Sequence, residues 1–407
     1  MISNINDTHF KYLDLNKINV QKKEVIMKQE YLIFILIIYF TFTLNVSCRS
    51  DKYGWEGSIE KKNNVTIVKN PSKPLYSESV ISFGEDLSIG SKDGAEEYIF
   101  SRIGDIEVDD KGNIYVIDIL DAQIRVFNEK GVYLNTYGGK GQGPGEMQRP
   151  IFMQITSKNE LVVYDSMTFR FLYYSRDGKY LHSINTKPGI FPIKLDSNDN
   201  IICQKISAPP PINGKVLMKY DTDFNLLLEI VRSEKGKKGI LEIGKPSCYC
   251  NITLNDQIVW GCSSEYKINV LNSSGKMTLK ILKEDVPLKI TEDIRNKYLN
   301  QYSPSIKAGL KLNFYTHYPS FSNILTDEDG LIYVKTYEKT SPNSQYYYFD
   351  VFDNKGIYLV KLPIYMNLDN KSVWKNNKLY TIETDQNDFQ VVKRFDIKWN
   401  IRSSPKN

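Results

Sequence analysis

Residues 106–118 read IEVDDKGNIYVID, and this stretch decides the fold. A polar turn, Asp110-Lys-Gly-Asn113, separates two short apolar segments. The segment after the turn, Ile114–Asp118, is rich in the β-branched and aromatic residues that favour strands. Gly and Asn favour tight turns, so the stretch predicts two strands joined by a turn.

The same strand type recurs along the chain, each time directly after a polar turn. The six strands are Ile114–Asp118, Leu161–Asp165, Ile201–Gln204, Ile258–Gly261, Leu331–Val334 and Leu379–Ile382. Five of the six units continue with a further strand and a second polar turn: Asn128–Gly131, Ser175–Gly178, Asp221–Asn225, Asn272–Gly275 and Asp353–Gly356. A four-stranded meander repeated every roughly 40 to 50 residues, with longer insertions in the fourth and fifth units, predicts an all-β, six-bladed β-propeller with four-stranded blades.

The sixth unit ends at Trp399–Ile401, one strand short of a blade. The segment from Val65 to Ile89 precedes the first blade and has no blade of its own. We expect this segment to supply the outer strand of the last blade, because closing the ring removes an exposed strand edge.

Composition fits a globular β-rich chain. Hydrophobic residues make up 41% of the 407 residues, aromatic residues 12% and charged residues 25%. This balance excludes disorder and collagen. A net charge of +5 with scattered lysines predicts no binding of nucleic acid, and we expect a monomer.

The N-terminus carries a targeting signal. Residues 31–46 form an uncharged apolar run that is short for a membrane span and typical of a signal-peptide core. Met27 is a natural start, so residues 1–26 are interpreted as upstream over-annotation and residues 27–47 as a lipoprotein signal peptide. An uncleaved membrane anchor is the alternative.

The apolar run ends in Leu44-Asn-Val-Ser-Cys48, which resembles a lipobox. This resemblance implies that Cys48 is lipidated and becomes the mature N-terminus. Residues 48–64 are then a polar tether and residues 65–407 the propeller. The expected location is the bacterial cell envelope, with the anchor in the outer membrane because Arg49 rather than Asp follows the cysteine.

The first two units resemble NHL repeats, in the form found in exported bacterial six-bladed propeller lipoproteins. The resemblance rests on residues 106–118, Ile124–Phe127, Gly131 and the glycine-rich stretch Gly138–Met147, and it covers residues 103–192. That pattern often has an Arg four residues before the end of the third strand. Arg170 fills this position in the second unit, whereas Gln123 occupies it in the first. The resemblance implies architecture rather than a ligand.

Two functions remain open. The favoured one is a noncatalytic binding scaffold for a peptide, a glycan or a protein, acting through the face that carries the inter-blade loops and the loops between second and third strands. The rival is a metal-assisted, calcium-dependent hydrolase or lactonase. The ligand-binding candidates on that face are Asp118, Gln123, Arg149, Arg170 and His317. Arginine pairs well with anionic groups, but inter-blade salt bridges are the favoured explanation of Arg149 and Arg170.

The inventory of catalytic groups is poor. Only His182 and His317 follow the lipobox, which disfavours a histidine metal site, and we expect no cofactor. Cys250 and Cys262 face each other if Asn255 and Asp256 turn a hairpin, so a disulfide, free thiols and a metal site are all open. Residues 346–349 read YYYF and are interpreted as core packing rather than a sugar platform.

Overall fold

The computed structural model describes residues 54–76, 80–206, 215–234, 236–237, 240–301, 311–369 and 371–400. The chain divides into two compact units, residues 1–54 and residues 55–407, and the second contains all the strands of the blades. Cys48, the signal peptide at 27–47 and the upstream residues 1–26 lie outside the described residues. Across the described ranges, no helix has both the length and the apolarity needed to cross a membrane.

The protein is a six-bladed β-propeller, as the repeat predicted. The second unit begins with strands β1 (Ser58–Lys62), β2 (Val65–Asn70) and β3 (Ile81–Ile89). The first three blades, from the channel outward, are β4 (Ile103–Val108), β5 (Ile114–Asp118), β6 (Gln123–Phe127) and β7 (Tyr133–Gly138); β8 (Pro150–Ile155), β9 (Leu161–Asp165), β10 (Arg170–Tyr174) and β11 (Tyr180–Asn185); and β12 (Ile190–Leu195), β13 (Ile201–Ile206), β14 (Lys215–Tyr220) and β15 (Leu226–Arg232).

Strand β16 (Ile240–Ile243) lies between the third and fourth blades. The fourth blade is β17 (Cys248–Ile252), β18 (Ile258–Cys262), β19 (Lys267–Leu271) and β20 (Met277–Lys283); β21 (Lys311–Phe314) follows it. The fifth blade is β22 (Asn323–Thr326), β23 (Ile332–Lys339), β24 (Tyr347–Phe352) and β25 (Tyr358–Ile364). The sixth is β26 (Val373–Lys375), β27 (Lys378–Thr384), β28 (Gln390–Trp399) and, outermost, β3.

The turns between first and second strands share one hydrogen bond. The residue at the first turn position accepts, through its side-chain oxygen, the backbone N–H four residues later. The five such residues are Asp109, Thr156, Asp196, Thr253 and Asp327, at 2.8, 3.1, 2.9, 3.2 and 2.8 Å. The fourth turn position has positive φ in all five and is Gly, Asn or Asp, the residues that tolerate this conformation.

Strand β3 closes the ring. It pairs antiparallel with β28, from Ile81 opposite Trp399 to Ile89 opposite Val392. Asp86 also forms an ion pair with Arg394 at 2.8 Å. The prediction that a segment before the first blade completes the last one is therefore confirmed.

The earlier part of the N-terminal segment docks elsewhere. Strand β2 pairs parallel with β20, so that β1 and β2 extend the fourth blade rather than the sixth. Asn70 is buried there; it donates to the carbonyl of Gly356 at 2.9 Å and accepts the N–H of Tyr358 at 2.8 Å. Residues 58–62, interpreted as part of the tether, form strand β1 because they pair with β2 in a hairpin.

Two insertions lie outside the blades. Strands β16 and β21 pair in parallel with each other. A short helix, α1 (Glu292–Gln301), follows the fourth blade, and the hydroxyl of Thr291 accepts the N–H of Ile294 at 3.4 Å.

A disulfide joins Cys248 to Cys262, with sulfur atoms 1.94 Å apart. The expected partner, Cys250, lies opposite Trp260 and is a free, buried thiol. The prediction of a Cys250–Cys262 bridge was wrong, because Ile252 and Ile258 pair across the turn. Cys248 and Cys262 lie the same distance beyond that pair.

Candidate functional site

A cavity of about 950 Å³ occupies the channel between the first strands of the blades. All six blades contribute to its lining, which extends to the turns between first and second strands. We call this end of the propeller the turn face, and the opposite end, which carries the inter-blade loops, the loop face. Pockets for small molecules usually hold about 300–1,000 Å³, so this cavity is at the upper end of that range.

A ring of polar residues lines the cavity at one position of the repeat. The residue two places before the first turn residue is Glu107, Gln154, Lys194 and Asn251 in the first four blades. We call these four residues the channel ring. They share a wall because side chains alternate along a strand and the first strands are related by the repeat.

Two members of the channel ring bond to neighbouring blades. Gln154 accepts the N–H of Leu195 at 2.8 Å and donates to its carbonyl at 3.2 Å. Asn251 accepts the N–H of Ile252 at 2.8 Å and the hydroxyl of Thr326 at 3.4 Å. Both side chains hold first strands together and are already hydrogen-bonded.

The two charged members carry opposite signs. Glu107 accepts the N–H of Val108 at 2.9 Å, and burial raises the pKa of its carboxyl. Burial also lowers the pKa of the Lys194 ammonium, while the charge of Glu107 opposes that shift. No residue within the described ranges accepts a hydrogen bond from Lys194 or forms an ion pair with it. Its charge is therefore available to a ligand.

Asp105 lies deeper in the cavity and is only 7% exposed. Its carboxyl accepts the N–H of Met153 at 2.8 Å and that of Ile106 at 3.1 Å. Burial raises the pKa of this carboxyl to about 8, and the charge of Lys371 opposes the shift. Asp105 is therefore largely neutral at pH 7.

Ion pairs brace the rim of the cavity at the turn face. Asp109 pairs with Arg176 at 2.6 Å, and Asp110 pairs with Lys375 at 2.5 Å. The Arg176 guanidinium also stacks over Tyr115, 4.6 Å from the ring centroid. These four charged groups are neutralised by each other, unlike Lys194.

The predicted binding residues lie away from this cavity. Asp118 is fully buried and accepts the N–H groups of Ser101 and Arg102 at 2.7 and 3.1 Å, which fixes the loop before the first blade. Gln123 lies opposite Asp118 in the strand pairing. All of these contacts are at the loop face.

Arg149, Arg170 and His317 also lie at the loop face. The side chain of Arg170 donates to the carbonyls of Gln142 and Glu146 at 3.4 and 2.6 Å and so clamps the glycine-rich loop. Arg149 is exposed, and its N–H bonds to Asp165 at 2.9 Å. His317 is exposed and contacts Thr316 at 3.0 Å. None of the five candidates lines the central cavity.

Four charged residues that line the cavity are not among the candidates predicted from the sequence: Asp105, Glu107, Lys194 and Lys371. A signal was present, because aligning the blades on their first turn residue places Glu, Gln, Lys and Asn at the same position of four successive first strands. In the part of the chain that the structure describes, no three His, Cys, Asp or Glu side chains are grouped to hold a metal ion.

A family model described as a six-bladed β-propeller matches residues 60–199. The match runs from the N-terminal hairpin through the first two blades and into the third. No curated protein matches the chain.

Several solved structures are similar. A Bacteroides fragilis protein described as a candidate exported protein is 14% identical, with a TM-score of 0.49, over 82% of this chain and 99% of that one. A member of the DUF4221 family from Bacteroides vulgatus is 11% identical, with a TM-score of 0.46, over 79% and 99%. Virginiamycin B lyase from Staphylococcus aureus is 10% identical, with a TM-score of 0.41, over 78% and 99%. At these values none of them indicates what this chain binds.

Proposed function

We propose that the protein is a noncatalytic binding protein of the cell envelope that captures a peptide in the central cavity. A lipid on Cys48 anchors it to the outer membrane. Among the peptide, glycan and protein ligands considered from the sequence, the cavity favours the peptide.

The observation that carries the proposal is the unpaired ammonium of Lys194. Burying a charge without a partner is costly, and proteins normally pair or neutralise such groups. Lys194 lines a large cavity instead, with no hydrogen-bond or ion-pair partner among the described residues; the charge of Glu107 acts on it only from further away, and burial lowers the pKa of its ammonium. A ligand carboxylate supplies the missing partner.

The rest of the lining matches a peptide. Ile151, Ile193, Ile252 and Val373 offer apolar surface for side chains. In the channel ring, the Glu107 carboxyl can accept peptide N–H groups, and the Asn251 amide N–H, which donates to no described residue, can donate to a peptide C=O group. A peptide can therefore place its carboxylate at Lys194, its backbone amides along the channel ring and its side chains against the apolar residues.

The disulfide supports export. Cys248 and Cys262 are bonded, and disulfides persist mainly in oxidising compartments such as the periplasm and the cell surface. This agrees with the signal peptide and the lipobox-like ending at Cys48. Acyl chains add about 0.8 kcal/mol for each buried methylene group, so two or three chains suffice for stable anchoring.

The test uses two pools of tripeptides, one with free carboxylates and one amidated at the C-terminus. Each pool is incubated with the purified full chain, and retained peptides are quantified by mass spectrometry. We expect the free acids to be retained, and Lys194→Met to reduce their retention about tenfold, the effect of losing one charged hydrogen bond. Lys187→Met is the matched control, because Lys187 is exposed in the loop before β12.

Equal retention of acids and amides, or by wild type and Lys194→Met, overturns the proposal. The same samples test the rival function. Shortened peptides whose formation stops on calcium chelation would show a calcium-dependent hydrolase and contradict noncatalytic binding.

A further inference from the structure

A second pocket, of about 260 Å³, lies at the loop face between the fifth and sixth blades. Lys335 lies midway along β23, opposite the first residue of β22, and Glu383 lies near the end of β27 that is remote from the turn face; Asn367 comes from the inter-blade loop. No residue lines both this pocket and the central cavity. At this volume the pocket is smaller than a typical drug-sized site and suits one small molecule.

Lys335 supplies the positive charge of the pocket. Its ammonium lies 4.8 Å from the centroid of the Tyr347 ring and 5.9 Å from that of Phe349. Within the described ranges no carboxylate lies at ion-pair distance from it, although Asp369 acts on it electrostatically from further away. Aromatic rings stabilise the cation only partly, so an anion still finds an open partner here.

Glu383 supplies hydrogen-bond acceptors. One carboxylate oxygen accepts the N–H of Asn367 at 2.7 Å and the hydroxyl of Thr381 at 2.6 Å. No described residue donates to the other oxygen. Asn367 donates its amide to the carbonyl of Ile382 at 3.1 Å, which fixes the orientation of its side chain. The polar groups are thus held in place by the protein itself, and acceptors remain for ligand hydroxyls.

Aromatic surface lies beside these polar groups. Tyr346 and Tyr347 line the pocket, and Tyr346 packs edge-on against Tyr365 with ring centroids 6.1 Å apart. Tyr365 is 63% exposed. The face of an aromatic ring is an apolar platform with a negative potential, to which the C–H groups of a sugar ring are complementary.

We propose that this pocket binds an acidic monosaccharide unit, a hexuronate. Lys335 pairs with its carboxylate, Glu383 and Asn367 bond its hydroxyls, and Tyr347 packs against its ring. The site is separate from the peptide-binding cavity and does not depend on it. The segment YYYF at residues 346–349 therefore serves more than core packing. Of its four aromatic residues only Phe349 is buried, and the three tyrosines are partly exposed.

The experiment measures binding of glucuronate, glucose and acetate to the purified full chain by calorimetric titration. We expect glucuronate to bind about tenfold or more tightly than glucose or acetate, because neither of these offers both a carboxylate and ring hydroxyls. Lys335→Met removes the preference for glucuronate over glucose. Lys339→Met is the matched control: its ammonium lies 5.7 Å from the same Tyr347 ring but outside the pocket.

Three results overturn the proposal: no measurable glucuronate binding, binding of acetate as tight as that of glucuronate, or equal effects of Lys335→Met and Lys339→Met. The Lys194→Met variant distinguishes a failure of this proposal from a failure of the peptide-binding function. It changes the central cavity only, so glucuronate binding should be the same as in wild type if the two sites are distinct.

Discussion

Replacing Asp105 with Asn changes how the stability of the propeller depends on pH. In the folded protein, burial raises the pKa of the Asp105 carboxyl from 3.8 to about 8. In the unfolded chain, the carboxyl loses its proton near pH 4. Between these two values, unfolding releases one proton from this residue, and a rising pH therefore favours the unfolded state.

The size of the effect follows from the proton count. One proton released on unfolding lowers the unfolding free energy by about 1.4 kcal/mol for each pH unit. The stabilisation is complete below pH 4 and is lost as the pH rises toward 8. Between pH 5 and pH 7 the contribution of Asp105 falls by about 3 kcal/mol. Asn cannot titrate, so the variant lacks this slope.

The assay is urea unfolding of wild type and Asp105→Asn at pH 5 and pH 7. Asn also loses one of the two N–H contacts from Met153 and Ile106, which costs about 1 kcal/mol at both pH values. We therefore compare differences: the stability of wild type relative to the variant falls by about 3 kcal/mol from pH 5 to pH 7. An equal difference at both pH values would refute the reasoning, because it would mean that folded Asp105 is ionised throughout.

Three other perturbations test the fold. Asp350 is fully buried and accepts hydrogen bonds from the hydroxyls of Tyr266 and Tyr358, and Lys283 forms an ion pair with it at 3.2 Å. Asp350→Asn leaves the Lys283 ammonium without its carboxylate and should lower the unfolding free energy, measured with urea, by about 3–5 kcal/mol. A loss below about 1 kcal/mol would contradict a structural role for this ion pair. Cys262→Ser removes a disulfide that joins residues 14 positions apart and should lower the unfolding free energy by about 3 kcal/mol. Reducing the wild type should have the same effect. A wild type whose stability does not change with reductant would contradict the disulfide. Deleting residues 81–89 exposes the edge of the sixth blade, so molecules of the variant should associate with each other, which light scattering detects. A variant that stays monomeric and unfolds cooperatively would contradict closure of the ring by β3.

The blades could be predicted from the sequence because their turns are local. The side chains of Asp109, Thr156 and Asp196 bond to backbone only four residues away, and a Gly, Asn or Asp follows at the position of positive φ. Such a turn needs no distant partner, so five or six residues suffice to recognise it. The closing strand could be predicted because the sixth unit lacks one.

The docking of β2 on the fourth blade could not be predicted. Its partner, β20, is about two hundred residues away, and Thr66–Asn70 has no feature that distinguishes one exposed strand edge from another. The predicted pairing of Cys250 with Cys262 was wrong because of the length of one turn. The turn between Ile252 and Ile258 is longer than the two-residue turn at Asn255 and Asp256, and this shifts the register by one residue, so that Cys262 lies opposite Cys248.

The site candidates were chosen by their position at the loop face, which the topology gives reliably. Their roles depend on side-chain partners, which the sequence does not reveal. Asp118 and Arg170 bind the backbone of neighbouring loops. Lys194 has the sequence context of an ordinary strand lysine. Only the folded ring places it beside a cavity, with no hydrogen-bond or ion-pair partner among the described residues.

Affinities of one peptide in two forms test the central claim, that Lys194 binds the carboxylate of a ligand in the channel. The tripeptide retained best by wild type is titrated as free acid and as amide into wild type and Lys194→Met. We predict that wild type binds the acid about tenfold more tightly than the amide and that this ratio falls to about one in the variant. An acid-to-amide ratio that is the same in both proteins would contradict the account.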